Sequence, residues 1–208
     1  MSAIRLRGAT SGTTDVVAAA IAGDGVLTLP TGTGTLATQA FVNTAVAAGG
    51  KVLQVVSVTK TDTFSTTSTS YVDITGVSIS ITPSATTSKI MVMAETAGGG
   101  GTSDMTMHFR VTRNGTGVNV GDADGSRVRN TFSIYTTTAS GIPGGGWRPN
   151  INGNSTFLDS PATVSAVTYK LQMLVDSGTG YVGRPGDNPD DSRVGRSPTN
   201  LTLWEISA

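Results

Sequence analysis

The chain has 208 residues, with 14 Lys and Arg balanced by 14 Asp and Glu, and it contains no cysteine. Zero net charge argues against a nucleic-acid partner, which would require a basic surface, and the lack of cysteine excludes disulfides and thiolate metal sites. Charged residues are 13% of the chain, against roughly 25% in ordinary domains, and 37% hydrophobic residues in short alternating runs predict an all-β protein.

The first segment, residues 1–37, contains the strand-sized pieces "IRLR", "DVVAAAIA", "VLTL" and "GTGTLA", which are separated by turn residues. A segment below about 40 residues cannot bury a core by itself. We therefore expect an N-terminal β stalk in which sister chains complete each other's hydrophobic contacts. The candidate residues of this stalk, including three from the next segment, are Ile4, Leu6, Val26, Leu27, Leu29, Leu36, Phe41, Val42 and Val46.

Residues 38–50 predict a short helix and a glycine linker. "TQAFVNTAVAA" carries one apolar stripe, Thr38 is a candidate N-cap, and Gly49 and Gly50 end the helix. A helix of three turns is marginal alone in water. We expect it to form a collar of three parallel helices in a homotrimer.

Residues 51–208 predict a run of strands with one apolar face each. "VSISI" (77–81), "MTMHFRVTR" (105–113) and "VTYKLQMLV" (167–175) alternate apolar and polar residues, and Asn114-Gly115 is a strong hairpin signal. About eight to ten strands in two antiparallel sheets are expected, as a jelly-roll-like β-sandwich.

Two further runs are apolar on both faces. "KIMVMAE" (89–95) predicts a strand buried on both sides. "LTLWEIS" (201–207) predicts either a covered central strand or a contact with a sister subunit, with Trp204 in the core.

Long loops at 97–104, 139–154 and 183–200 are expected to be functional or mobile, because such loops are uncommon inside compact domains. An exposed Trp147 could stack on a sugar ring with Arg148 adding hydrogen bonds, or it could anchor its loop to the sandwich. The candidate contacts with a glycan are Trp147, Arg148, Tyr181, Arg184, Arg193 and Arg196.

Catalytic patterns are weak in this sequence. His108 is the single histidine, no Gly-x-Ser-x-Gly turn occurs, and we expect a surface or subunit-contact role for His108. Glycoside hydrolysis needs two carboxylates. Glu95 and Glu205 could be neighbours on paired strands, although buried or subunit-pairing roles are favoured. The sequence therefore predicts a protein that is not an enzyme.

Two acidic clusters resemble calcium loops only in part. Asp122 and Asp124 begin such a loop, but Ser133 stands where the ligating glutamate belongs. Asp187, Asp190 and Asp191 lack a regular spacing, and turn chemistry accounts for both clusters. We expect no metal, no cofactor and, since no run reaches 18 apolar residues, no membrane insertion.

Several segments resemble proteins of tailed-bacteriophage particles. "LTLPTGTGTLATQAFVNTAVAA" is similar to the shaft-and-collar segment of phage fibre proteins. "KVLQVVSVTKTDTFSTTSTSYVDITGVSISITPSATTSKIMVM", "FLDSPATVSAVTYKLQM" and "TLWEISA" resemble a β-sandwich module of marine-phage virion proteins. The resemblance implies a homotrimer, assembled in the bacterial cytoplasm, with its N-terminus on the virion and its C-terminal domain outward.

The small size of the shaft favours a short fibre, knob or decoration on the capsid. The alternative is a tail fibre that recognises host surface polysaccharide through the loops of the C-terminal domain. The expected partners are therefore a second and third copy of the chain, a capsid or tail protein, and in the alternative a glycan.

Overall fold

A computed structural model describes residues 3–7, 13–17, 52–102, 104–136, 150–188, 190, 192 and 194–207. The chain divides into one unit of residues 1–47 and another of residues 48–208. In the first unit, β1 (Ala3–Arg7) and β2 (Thr13–Val17) pair antiparallel, as the strand-sized pieces predicted, and Ile4 and Leu6 lie in β1. The predicted helix and the other stalk residues, Val26, Leu27, Leu29, Leu36, Phe41, Val42 and Val46, lie outside the described residues.

The described part of the second unit is all-β, as predicted, and every strand pair is antiparallel. Eleven strands are seen there instead of eight to ten: β3 (Val52–Lys60), β4 (Phe64–Thr66), β5 (Val72–Ile81), β6 (Lys89–Gly100), β7 (Met105–Arg113), β8 (Thr116–Val118), β9 (Phe132–Thr136), β10 (Ile151–Asp159), β11 (Val167–Val175), β12 (Gly180–Val182) and β13 (Thr199–Ile206). They form a six-stranded and a five-stranded sheet.

The pairing of the long strands is nested along the chain. β3 pairs with β13, β5 with β11, β6 with β10 and β7 with β9, so the pairs enclose one another in sequence. β13 also pairs with β6, and β11 with β7. The six-stranded sheet therefore contains the order β3-β13-β6-β10, and the five-stranded sheet contains β5-β11-β7-β9.

The two sheets share one hydrophobic core, to which each alternating strand contributes its apolar face. Fully buried residues include Met107 and Phe109 of β7, Leu171 of β11, and Val92 and Leu203 of the six-stranded sheet. The burial of these side chains confirms the predicted inward faces of β7 and β11. Burying this apolar surface is the main force that holds the two sheets together.

The hairpin predicted at Asn114-Gly115 is also confirmed. Asn114 has a φ of 49° and Gly115 a φ of 85°, and Arg113 pairs with Thr116 on the returning strand. Two residues with positive φ are the requirement of the two-residue turn that matches the twist of the strands.

Parts of all three predicted loops are strand residues. Ala97–Gly100 continue β6, Ile151–Asn154 begin β10, and Thr199–Asn200 begin β13. The glycines of β6 allow close approach instead of forming a loop, since a Cβ on Gly98 would lie 2.3 Å from the carbonyl oxygen of Tyr181. A run of glycines that allows close approach of a neighbouring strand cannot be distinguished by sequence from a flexible loop. For this reason residues 97–100 were wrongly predicted to belong to a loop.

Within the described residues of one chain, β6 and β13 are covered on one face only. Burial on both sides is therefore wrong for β6, and for β13 the alternative of a subunit contact stays a prediction. Val92, Ala94, Leu201 and Leu203 are buried on the inner face of the six-stranded sheet, which faces the core. Met91, Met93 and Trp204 lie on its outer face and are only half-buried, so Trp204 is not a core residue. Burial on both sides would require a further layer over this outer face.

Candidate functional site

An apolar row crosses the outer face of the six-stranded sheet. Val55 of β3 pairs with Trp204 of β13, Trp204 with Met91 of β6, and Met91 with Leu158 of β10. Val55 is 50% exposed and Leu158 57% exposed. The indole N–H of Trp204 is buried and has no hydrogen-bond acceptor among the described residues. We call these four residues the apolar row.

The surroundings of the apolar row are almost free of charge. Val52 and Leu53 at the start of β3 are also large exposed apolar residues. Among the outward-pointing described residues of β3, β13, β6 and β10, the charged ones are Lys89 and Glu95, six positions apart on β6. Lys89 donates a hydrogen bond of 2.8 Å to the hydroxyl of Ser160. An exposed, contiguous and uncharged apolar surface of this kind marks an interaction site.

A polar row lies on the same face, four residues further along β6. Glu95 is flanked by Asn200 of β13 and Asn154 of β10, and Asn200 is paired with Thr59 of β3. We call Thr59, Asn200, Glu95 and Asn154 the polar row. At about 3.3 Å per residue, Met91 and Glu95 are about 13 Å apart along the strand.

The polar row borders a cleft of about 510 Å³. The cleft lies where the pairing partner of β6 changes from β13 to β12. The pairing with β13 reaches Glu95 of β6, and the pairing with β12 begins at Gly98 of β6. The residues that line it include Glu95, Asn152, Asn154, Ser197, Pro198 and Asn200. Pro198 has no backbone N–H and cannot donate to a neighbouring strand at this point. A change of partner along one strand opens the sheet at this point.

Three side chains of the cleft are free to meet a ligand. Glu95, Asn152 and Asn154 are exposed, and within the described part of the chain none has an ion pair or side-chain hydrogen bond. Asn200 is oriented by Thr59, whose hydroxyl donates 2.8 Å to the amide oxygen of Asn200. The amide N–H of Asn200 therefore remains available as a donor.

The wall of the cleft is held by the end of the loop at 183–197. The backbone N–H of Ser197 donates to the carbonyl of Gly183 at 3.3 Å, which closes this loop at its base. Asn150 donates from Nδ2 to the hydroxyl of Ser197 at 3.1 Å, while its buried amide oxygen has no donor among the described residues. The position of Ser197 is thus fixed by two contacts.

The residues predicted to contact a glycan do not form one site among the described residues. The guanidinium of Arg184 stacks over the ring of Tyr181 at 3.5 Å and donates to the carbonyls of Pro185 and Gly186, so these two residues are brought together but engage each other. Arg196 is exposed and directly precedes Ser197 of the cleft. Trp147, Arg148 and Arg193 lie outside the described residues.

The two glutamates are not neighbours. Glu95 pairs with Asn200 and Glu205 pairs with Ile90, so five positions along the strands separate them, and they point to opposite faces. Glu205 is fully buried and accepts hydrogen bonds from Ser84 and Gln54, while Glu95 is exposed. The suggestion that the two carboxylates meet is wrong, because the alternation of β13 turns Glu205 inward.

His108 is partly buried instead of lying on an open surface. Its Nδ1 accepts a hydrogen bond of 2.7 Å from the side-chain amide of Asn130, which places the proton of the neutral ring on Nε2. Burial lowers the pKa of His108, and the charge of Asp176 opposes this effect. These contacts are those of a structural histidine.

The acidic loops show no cluster in the described residues. No group of three His, Asp or Glu side chains in that part of the chain could hold a metal ion. Asp124 forms an ion pair with Arg127, three positions further on, and Asp122 lies in the same exposed turn region. Asp187 and Asp190 are described, whereas Asp191 is not.

Apart from Glu95, the polar side chains of the cleft were not singled out from the sequence. Asn152, Asn154 and Asn200 are separated by up to 48 positions and meet only because β10 and β13 both flank β6. A signal was present, since asparagine is depleted in strands and "INGN" places two of them on alternate positions of one.

No protein-family model matches the chain, and no curated protein matches it significantly. In the described part of the chain, no helix is both long and apolar enough to span a membrane.

Proposed function

We propose that the chain is a non-enzymatic structural protein of a bacteriophage particle, a short homotrimeric fibre or knob. Its N-terminal segment attaches to the capsid, and its β-sandwich is displayed outward. The resemblance of its segments to virion proteins supports the setting. The observation that carries the assembly is the apolar row on the outer face of the six-stranded sheet.

The finer fold of the displayed domain is a jelly roll. A jelly roll is a long antiparallel ribbon rolled into two four-stranded sheets, so its strands pair from the outside of the sequence inward. The nested pairs β3–β13, β5–β11, β6–β10 and β7–β9 support this assignment. The short strands β4, β8 and β12 are additions at the sheet ends.

The apolar row is the surface against which a sister chain packs. The apolar half of these four strands, about 19 Å wide and about 15 Å long, covers on the order of 300 Å². It is thus one part of an interface that needs roughly 800 Å² per partner, and it leaves the polar row uncovered. Lys89 begins β6 and Glu95 lies four positions beyond Met91, so the centre of the apolar row requires no buried charge. A sister chain would also supply an acceptor for the indole N–H of Trp204, which has none among the described residues.

Solution mass tests the assembly. Wild-type protein is expected at three times the chain mass of 21.1 kDa in light scattering or native mass spectrometry. The double variant Val55→Glu with Leu158→Glu is expected to be monomeric, because it places carboxylates in the apolar row. The matched control is Val128→Glu with Val164→Glu, since these residues are 41% and 53% exposed and lie outside the row.

Two results contradict the proposal. One is a monomeric wild-type chain at tens of micromolar, and the other is loss of the trimer in the control but not in the row variant. Electron microscopy of phage particles with a gold-labelled C-terminal tag would distinguish attachment to the capsid from attachment to the tail.

A further inference from the structure

We infer that the cleft beside Glu95 is a binding site for a neutral saccharide. This site goes beyond the assembly proposed above and does not require it, because the cleft is formed by β6, β10 and β13 of one chain. It corresponds to the glycan-recognition function that the sequence left as an alternative, but it lies on the sheet and uses other residues than the predicted ones.

The size of the cleft fits a small sugar. Its volume of about 510 Å³ falls within the roughly 300–1,000 Å³ typical of small-molecule sites, whereas a single ion would leave most of this space to water. The floor is the outer face of β6, and the walls are Asn152 and Asn154 on one side and Pro198 and Asn200 on the other. The site is thus preformed on a rigid sheet.

The side chains present the pattern that vicinal hydroxyl groups require. The carboxylate of Glu95 can accept from two hydroxyls, and charge-assisted bonds of this type are roughly twice as strong as neutral ones. Asn152 and Asn154 each offer an amide donor and acceptor, and Asn200 offers a donor because its oxygen already accepts from Thr59. A hydroxyl group is both donor and acceptor, so it can satisfy this mixed set.

The charge of the cleft selects neutral over acidic sugars. Glu95 is its single carboxylate among the lining residues described, and no cation is paired with it there. A uronic or sialic acid would bring a second carboxylate toward Glu95 without compensation. A calcium ion, which takes six to eight oxygen ligands at about 2.3–2.6 Å, is disfavoured by one carboxylate in so large a cleft.

The test uses full-length protein on an array of neutral hexose and N-acetylhexosamine oligosaccharides together with oligosaccharides that contain uronic or sialic acid. Neutral members are expected to bind, and the affinity for the best member is then measured by titration calorimetry. Glu95→Gln and Asn154→Ala are each expected to weaken it at least tenfold. The controls Asp122→Asn and Thr156→Ala, which lie outside the cleft, are expected to leave it unchanged.

Three outcomes would overturn the inference. These are binding to none of the neutral sugars, neutral binding that both cleft variants retain, and calcium binding to the wild type that Glu95→Gln removes. Solution mass measured on the same samples keeps the two proposals apart, because trimers without sugar binding reject only the cleft, and sugar-binding monomers reject only the assembly.

Discussion

The carboxylate of Asp159 on β10 accepts a hydrogen bond of 2.6 Å from the hydroxyl of Tyr169 on β11, which joins the two sheets. Arg113 of β7 donates to both oxygens of the same carboxylate at 2.7 and 2.6 Å. Burial raises the pKa of Tyr169, and the hydrogen bond to Asp159 raises it further, so the tyrosine stays protonated and remains a donor. One carboxylate thus links three strands across the core.

Replacing Asp159 is therefore expected to cost more stability than replacing Tyr169. Asp159→Ala leaves the Tyr169 hydroxyl and the Arg113 guanidinium without an acceptor and should lower the free energy of unfolding by about 3 kcal/mol. Tyr169→Phe removes one bond and should cost about 1.5 kcal/mol. Urea denaturation measures both, with exposed Asp122→Ala as the control. Equal losses in the two variants would contradict the shared role of Asp159.

Glu205 makes the free energy of unfolding depend on pH in the acidic range. Burial by itself raises the pKa of this carboxyl, but hydrogen bonds from Ser84, Gln54 and Ser88 outweigh burial and lower it to about 2. The stabilisation is present above the unfolded pKa of 4.5 and is lost as the pH falls from 4.5 toward 2. A shift of this size corresponds to about 3 kcal/mol.

We expect Glu205→Gln to be less stable than the wild type at pH 7 and to have a flatter profile of unfolding free energy between pH 5 and about pH 2. The control is Glu95→Gln, because Glu95 is exposed and does not hold two strands together. A wild-type profile already flat below pH 4.5 would show that the hydrogen bonds of Glu205 do not hold its charge.

His108 affects the pH dependence of stability at a higher pH than Glu205 does. Burial is the main cause that lowers its pKa below the ordinary value of 6.5. The folded state therefore favours the neutral ring, and the resulting stabilisation is full above pH 6.5 and declines as the pH falls through the folded pKa. NMR titration of the imidazole should give a midpoint below 6.5, and Asp176→Asn should lower it further, because Asp176 opposes the shift. A midpoint above 6.5 would contradict this account.

Gly98 is required for the close approach of β12 to β6. A methyl group in Gly98→Ala would lie 2.3 Å from the carbonyl oxygen of Tyr181, and that backbone atom has no rotamer in which to escape. We expect a loss of about 1–3 kcal/mol, as for other overpacked positions. Gly121→Ala is the matched control, since nothing lies within 4 Å of a Cβ built there. Similar midpoints of urea unfolding for the two variants would disprove the requirement.

The sequence allowed the strands and their inward faces to be predicted, because alternation reports burial directly. It misplaced Trp204, since "LTLWEIS" is apolar on both faces and either register buries a hydrophobic set. It also misplaced Glu205 relative to Glu95, because the offset between β6 and β13 is a property of the assembled sheet. Pairing between distant strands is a tertiary outcome that local periodicity does not contain.

The cleft was missed for the same reason. Asn152 and Asn154 look like ordinary exposed residues until β10 is placed beside Glu95. The acidic and arginine-rich loops were considered as candidate binding sites because of their unusual composition. In the structure, however, Arg184 stacks on Tyr181 and donates to a carbonyl of its own loop. A distinctive composition indicates where charges are, whereas a binding surface depends on which side chains lack an internal partner.

The nested pairing has a consequence for how the domain is made. β13 occupies the centre of its sheet between β3 and β6, although it follows β3 by more than a hundred positions in the chain. During synthesis β3 has no neighbour on that side until residues 199–206 have left the ribosome. Contacts between residues so far apart in the chain slow folding. The six-stranded sheet can therefore be completed only after β13 has been synthesised.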